Sequence, residues 1–185
     1  METSQKFQID LVERCKAQDR KAQLKLYKQY CEGMYCVAMR FLNNSDDAED
    51  VLQEAFIKAF QKIHQFSGQV TFGAWLKRIV VNSCIDFLKV QKERHLEIKE
   101  NTLQIVEDQN WTIEPGISID EVKEAMAQLP DNYKYVLQLY LLEGYDHDEI
   151  AQVLGLTATA SRTRLLRGKG YLRELLKRKE NGTGS

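Results

Sequence analysis

Apolar residues recur along the chain at steps of three and four, the period of a helix with one buried face. Ile9, Leu11, Val12 and Cys15 predict a first helix. Leu24, Tyr27, Tyr30, Cys31, Met34, Tyr35 and Ala38 predict a long second one, ending near residues 41–44. Asp46 stands three residues before Glu49, the spacing of a capping box. Val51, Leu52, Ala55, Phe56, Ala59, Phe60 and Ile63 then form the next stripe. Ser67-Gly68-Gln69 breaks the pattern, which resumes near Thr71 with Trp75, Leu76, Ile79, Val80, Ser83, Ile85 and Leu88.

Periodicity is lost over residues 95–118, which are acidic and contain Pro115-Gly116. An irregular stretch of roughly two dozen residues is unusual inside one compact domain. The helical pattern returns with Val122, Met126 and Leu129, and after Pro130 with Val136, Leu137, Leu139, Tyr140 and Leu141, Asp131 serving as cap. Glu143-Gly144 ends that helix, Asp146 again stands three residues before Glu149, Gly155 turns the chain, and Thr157 caps a basic helix reaching about Lys179. The expectation is an all-α fold. Two small helical domains, 1–94 and 119–179, are joined by an extended acidic linker over 95–118 and followed by a flexible tail at 180–185.

Composition narrows the class. With 185 residues, 43% hydrophobic and 29% charged, the chain is neither disordered nor membrane-spanning in character. Its start lacks the basic and apolar segments of a signal peptide, so a cytoplasmic protein without membrane insertion is expected. The four cysteines show no CxxC pair and the three histidines lie far from them, so no metal site and no cofactor is expected. Cys15, Cys31, Cys36 and Cys84 read as buried thiols in a reducing compartment.

Charge is partitioned although it nearly cancels overall. Residues 1–94 carry a net +3, residues 95–119 a net −4, residues 120–149 a net −6 and residues 161–179 a net +7. A local basic helix supplies a phosphate-binding surface whatever the net charge of the chain.

Ile150, Ala151, Leu154, Gly155 and Leu156 fit a helix-turn-helix, whose second helix enters a major groove. That helix should bury Ser161, Leu165, Gly168, Leu172 and Leu175 and expose Arg162, Arg167 and Arg173. Gly168 and Gly170 should each weaken it, by up to ~1 kcal/mol relative to Ala. In the first block, Phe66, Phe72 and Trp75 surround a glycine-containing break beside Lys77 and Arg78. Rings and cations about a loop suit single-stranded nucleic acid. Phe72 and Trp75 read first as core, and the loop 66–70 as the place for an extruded base.

Three segments carry a resemblance: Asp46-Asp47-Ala48-Glu49-Asp50-Val51-Leu52-Gln53-Glu54-Ala55-Phe56, then Phe66-Ser67-Gly68, then Phe72-Gly73-Ala74-Trp75-Leu76-Lys77-Arg78-Ile79-Val80-Val81-Asn82. Together they resemble region 2 of bacterial extracytoplasmic-function sigma factors. Leu129-Pro130, residues 149–156 and the basic helix resemble region 4 of the same family. The resemblance implies a transcription initiation factor, not an enzyme, that binds core RNA polymerase through its clamp and flap regions. It implies that Asp46, Asp47, Glu49, Asp50, Gln53 and Glu54 meet the polymerase. It places Phe66, Ser67, Gly68, Trp75, Lys77, Arg78, Asn82 and Lys89 at the −10 DNA, with Lys92 also near phosphates. It places Thr157, Thr159, Arg162, Thr163, Arg164 and Arg167 at upstream DNA. Ala158 and Ala160 offer a base no hydrogen bond, so upstream readout falls to Arg162, Arg164 and DNA shape. An anti-sigma factor or another DNA-targeting helper is a further expected partner.

Two rivals remain. A stand-alone helix-turn-helix regulator would bind duplex DNA without polymerase. A metal-dependent nuclease would use Asp46, Asp47, Glu49 and Asp50, but no further carboxylate or histidine cluster in the sequence completes such a site.

Overall fold

The computed structural model describes residues 10–94 and 117–182. Most of the expected linker, 95–116, and the end of the expected tail lie outside them. The described residues fall into two units, one within Met1–Glu97 and one within Ile98–Ser185. Among them all regular structure is helical, and no helix is long and apolar enough to cross a membrane.

In the first unit, α1 covers residues 10–16, α2 Arg20–Leu42, α3 Ser45–Gln61 and α4 Phe72–Arg94, with a 3-10 turn at Ile63–Gln65. Asp19 caps α2 by accepting from the Lys21 and Ala22 amides. Arg14 pairs with the same carboxylate at 2.7 Å and, with those amide bonds, holds it below the ordinary carboxylate range. Asn43 ends α2 in the left-handed region at φ 53°, and Asn44 at once caps α3, accepting from the amides of Asp46 and Asp47 at 2.9 and 3.0 Å. The expected Asp46–Glu49 capping box is therefore corrected. Asparagine tolerates the left-handed conformation, so the turn closes two residues earlier. Asp46 and Asp47 lie inside the first turn, where their charge complements the helix dipole.

Helices α2, α3 and α4 pack on one another. Ala22, Leu26, Val37, Ala38 and Phe41 of α2, the Val51, Leu52, Ala55, Phe56 and Ala59 stripe of α3, and Phe72, Leu76, Val80, Val81 and Ile85 of α4 are all buried. The buried face of α2 differs from the expected one. Leu24 is 54% exposed, because it stands two residues, about 200° of helix, from both Ala22 and Leu26. Cys15 and Cys84 are buried as expected, and burial pushes the Cys15 thiol up to about 11. Cys31 is only half-buried and Cys36 is exposed, contrary to expectation, since both fall off the α2 seam.

In the second unit, α5 is Ile119–Ala127, α6 Asp131–Leu137, α7 His147–Leu154 and α8 Ala158–Gly182. Ser118 and Glu121 form a reciprocal capping box for α5, and Asp146 and Glu149 form the expected one for α7. Asp131 does not cap α6. Pro130 holds the cap position, with no side-chain bond there, and Asp131 is the first helical residue. A π turn at Gln138–Leu142 follows, in which the Glu143 amide donates to Gln138 O at 3.2 Å. Its extra residue shifts the register. Tyr140, Leu141 and Leu142 turn outward, against the expectation for the first two, while Gln138 and Glu143 are buried.

Gly155 adopts φ 68° between α7 and α8, the tight turn expected of a helix-turn-helix. Helices α5, α6 and α7 all pack on α8. Its seam is Ser161, Leu165, Gly168 and Leu172, continued by Leu176 where Leu175 was expected. Gly168 does more than weaken the helix. A Cβ there would run into Leu137 Cδ1 and come within 3.2 Å of Tyr133 Cβ, so the glycine lets α6 and α8 touch. The helix continues to Gly182, through the first residues of the expected tail.

Two glycine substitutions should act in opposite directions. Gly33, in α2, has open space around it. Gly33→Ala should raise stability by about 0.5–1 kcal/mol. Gly168→Ala should lower it by about 1–2 kcal/mol, overpacking outweighing the gain in helix propensity. Denaturation followed by circular dichroism checks both; a Gly168→Ala protein as stable as its parent would show that α6 and α8 are not in close contact.

Candidate nucleic-acid interface

The break between α3 and α4 is held from one side by rings. Phe66 lies 5.7 Å from Phe72 and 5.5 Å from Trp75, and Phe72 lies 5.5 Å from both Trp75 and Tyr30. Phe72 is buried, as expected of core, whereas Phe66 and Trp75 are each half-buried. The Thr71 hydroxyl accepts from the Ala74 amide at 3.2 Å and starts α4. Between these anchors Ser67, Gly68, Gln69 and Val70 are exposed, with Gly68 at φ 79°. The result is a short loop with fixed ends and a free crest beside a partly open aromatic surface.

Helix α4 extends that surface. Trp75, Arg78, Asn82 and Lys89 succeed one another at steps of three, four and seven, so they share one face. Arg78, Asn82 and Lys89 are exposed. Asp86 lies among them and adds one negative charge. The face combines a ring, two cations and a carboxamide able both to donate and to accept. Lys77 is not on it: five residues from Asn82, it points about 140° away around the helix. The side chain of Lys92 lies outside the described ones.

On α3, Asp46, Asp50, Gln53 and Glu54 share another exposed face, with Asp47 and Glu49 at its two flanks. Glu54 is paired with Lys58 at 3.0 Å, a surface contact worth a few tenths of a kcal/mol. Reading charge alone missed Ile57. It is 57% exposed, follows Glu54 by three residues and lines a groove with Phe60 and Ile63. Its only signal in the sequence was an apolar residue one position past the Ala55–Phe56 seam.

On α8, Thr159, Arg162, Thr163 and Arg167 share one exposed face, and Arg164 is half-buried at its edge. Thr157 spends its hydroxyl oxygen on the helix cap, accepting from the Ala160 amide at 3.1 Å. The Thr163 hydroxyl donates to Thr159 O at 3.0 Å. Leu166, 40% exposed, stands on the same face and also escaped the sequence reading. An exposed apolar group there has a counterpart in the thymine methyl of the major groove. Among the described residues, no cluster of three or more His, Cys, Asp or Glu is arranged to hold a metal ion.

Each of the two units matches a known family. Residues 26–94 match the family described as Sigma-70 region 2, and residues 119–172 match Sigma-70, region 4. The chain is 30% identical to the ECF RNA polymerase sigma factor SigW of Bacillus subtilis (strain 168), over 80% of this chain and 85% of the relative. It is 28% identical to the ECF RNA polymerase sigma-E factor of Escherichia coli (strain K12), over 86% of this chain and 88% of the relative. In fold it is similar to the sigma factor RpoE in its co-crystal with the anti-sigma factor NepR from Bartonella quintana. That likeness has a TM-score of 0.56 at 20% identity, over 83% of this chain and 95% of the other. It is also similar to CnrH in complex with the cytosolic domain of CnrY, with a TM-score of 0.55 at 22% identity, over 92% of this chain and 97% of the other.

Proposed function

The chain belongs to the extracytoplasmic-function sigma factors of RNA polymerase, and directs that enzyme to promoters; from this membership we propose how its faces divide the work. The acidic face of α3, with Asp46, Asp47, Glu49, Asp50, Gln53, Glu54 and Ile57, docks on the polymerase. Carboxylates steer it toward basic groups there, and Ile57 supplies the apolar contact that charges alone lack.

The Phe66–Val70 loop and the Trp75, Arg78, Asn82, Lys89 face of α4 read and open the −10 element. Each base step unstacked costs ~1.4 kcal/mol. A base stacked on an aromatic side chain returns ~1–3 kcal/mol. One captured base thus offsets one or two steps, and phosphate contacts and polymerase binding supply the rest. Helix α8 meets upstream DNA through Thr159, Arg162, Thr163 and Arg167, with Thr157 and Arg164 at its margin. The protein performs no chemistry itself, works in the cytoplasm alongside the polymerase, and is open to control by an anti-sigma partner. The single observation that carries this reading is the ring, cation and carboxamide face of α4 beside the exposed Gly68 loop.

Two measurements test it. Asn82→Ala should reduce transcription from the cognate promoter about tenfold or more, the scale of one lost base contact, while polymerase affinity changes by less than about twofold. Equal losses in both would take base reading away from Asn82. The Arg162→Ala, Arg167→Ala double variant should bind upstream DNA more weakly and lower the salt-dependence slope by about 2. An unchanged slope would remove both arginines from the interface.

A further inference from the structure

The helix-turn-helix contains a polar tie separate from its DNA-facing side chains. His147, the first residue of α7, places Nδ1 2.9 Å from the Oγ of Ser161, fourteen residues later in the first turn of α8. Ser161 is 0% exposed. The imidazole stacks on Tyr140 of the π turn, with centroids 5.0 Å apart and planes at 23°. Lys169, two turns along α8 from Ser161, holds its Nζ 5.8 Å from the centre of the same Tyr140 ring. One imidazole thus links the π turn, α7 and the start of α8, and Tyr140 reaches α8 a second time.

The rest of the α8 seam cannot do this work. Leu165 and Leu172 bury area, but apolar contact is non-directional and tolerates small rotations. The bond from half-buried His147 to buried Ser161 does not, because a hydrogen bond weakens steeply once distance or angle is lost. A rotation of α8 by about 20° would carry a side-chain tip near the helix surface some 2 Å sideways. That displacement is enough to break the hydrogen bonds of an arginine to a base edge.

Resting on the reading that α8 meets upstream promoter DNA, we propose that His147 is a positioning residue for promoter recognition: through Ser161 and Tyr140 it sets the rotation of α8, so that Arg162, Thr163 and Arg167 reach upstream bases in register. In this role His147 acts through the helix it orients.

The test uses full-length protein with core polymerase and two promoters identical except for a cognate or a scrambled upstream element. The quantity read is the ratio of transcription from the two. His147→Ala and Ser161→Ala should each lower that ratio about tenfold, the scale of one lost bidentate base contact, and the double variant should lower it no further. His147→Asn, whose carboxamide can occupy the Nδ1 position, should keep most of the ratio. Transcription from the scrambled promoter and binding to polymerase should stay within about twofold throughout, which a general loss of folding would not allow. An unchanged ratio in His147→Ala, additive losses in the double variant, or an Asn variant as poor as Ala would each overturn the proposal. If the unaltered protein itself gave a ratio of one, upstream reading by α8 would fail and the positioning role with it; a high ratio that survives His147→Ala rejects the positioning role alone.

Discussion

Close helix approach is the constraint on which the rest of this protein depends. Ala38 of α2, Ala48, Ala55 and Ala59 of α3 and Gly168 of α8 are all buried, and each removes side-chain bulk where two helices meet. With small residues on the seam, the larger ones beside them interdigitate and fix which face of each helix is buried. The seam therefore decides what faces outward. On α3 it leaves a run of carboxylates with Ile57; on α4 it leaves Trp75, Arg78, Asn82 and Lys89; on α8 it leaves threonines and arginines around Leu166. The proposed contact residues of α3, α4 and α8 lie on regular helix, and the loop at Gly68 and the turn at Gly155 are the positive-φ glycines beside them.

The same constraint explains a chain of almost zero net charge that works on a polyanion. Its charges are sorted by helix face, and each unit carries its own surface. Acids gather on α3, and cations gather on α8, where residues 161–179 hold a net +7. A protein that must join one macromolecule to another benefits from keeping the two signs apart, because each attracts a different partner and repels the wrong one. In the proposed reading, sequence specificity in the first unit rests on Asn82 and the Phe66–Trp75 rings, while the cations of α4 position the nucleic acid.

Much of this was legible in the residues. The period of three and four located the helices, Asp146–Glu149 announced the cap of α7, and Gly155 announced the turn. Errors arose where a local rule had a neighbour that satisfied it better. Asn44 took the cap assigned to Asp46 because Asn43 had already ended α2. Pro130 took the cap position assigned to Asp131. The π turn at Gln138–Leu142 could not be seen in a 3.6-residue period, since one inserted residue moves Tyr140 and Leu141 out of phase. Gly168 read as a weak point because propensity is local, while its partners Leu137 and Tyr133 lie far back in the sequence. Of the candidate site, the sequence pattern located the exposed faces of α4 and α8; it did not show that Lys77 stands about 140° around α4 from Asn82, that Ile57 and Leu166 are exposed, or that His147 bonds Ser161. A bond across fourteen residues leaves no mark in periodicity.

This chain should open promoter DNA only as part of a larger enzyme. Permanganate reactivity of thymines in a cognate promoter measures that opening directly. Thymines in the −10 element should become reactive when the chain and core polymerase are both present, and with neither alone. Tight binding of intact duplex by the chain alone, with no thymine becoming reactive when polymerase is added, would contradict it.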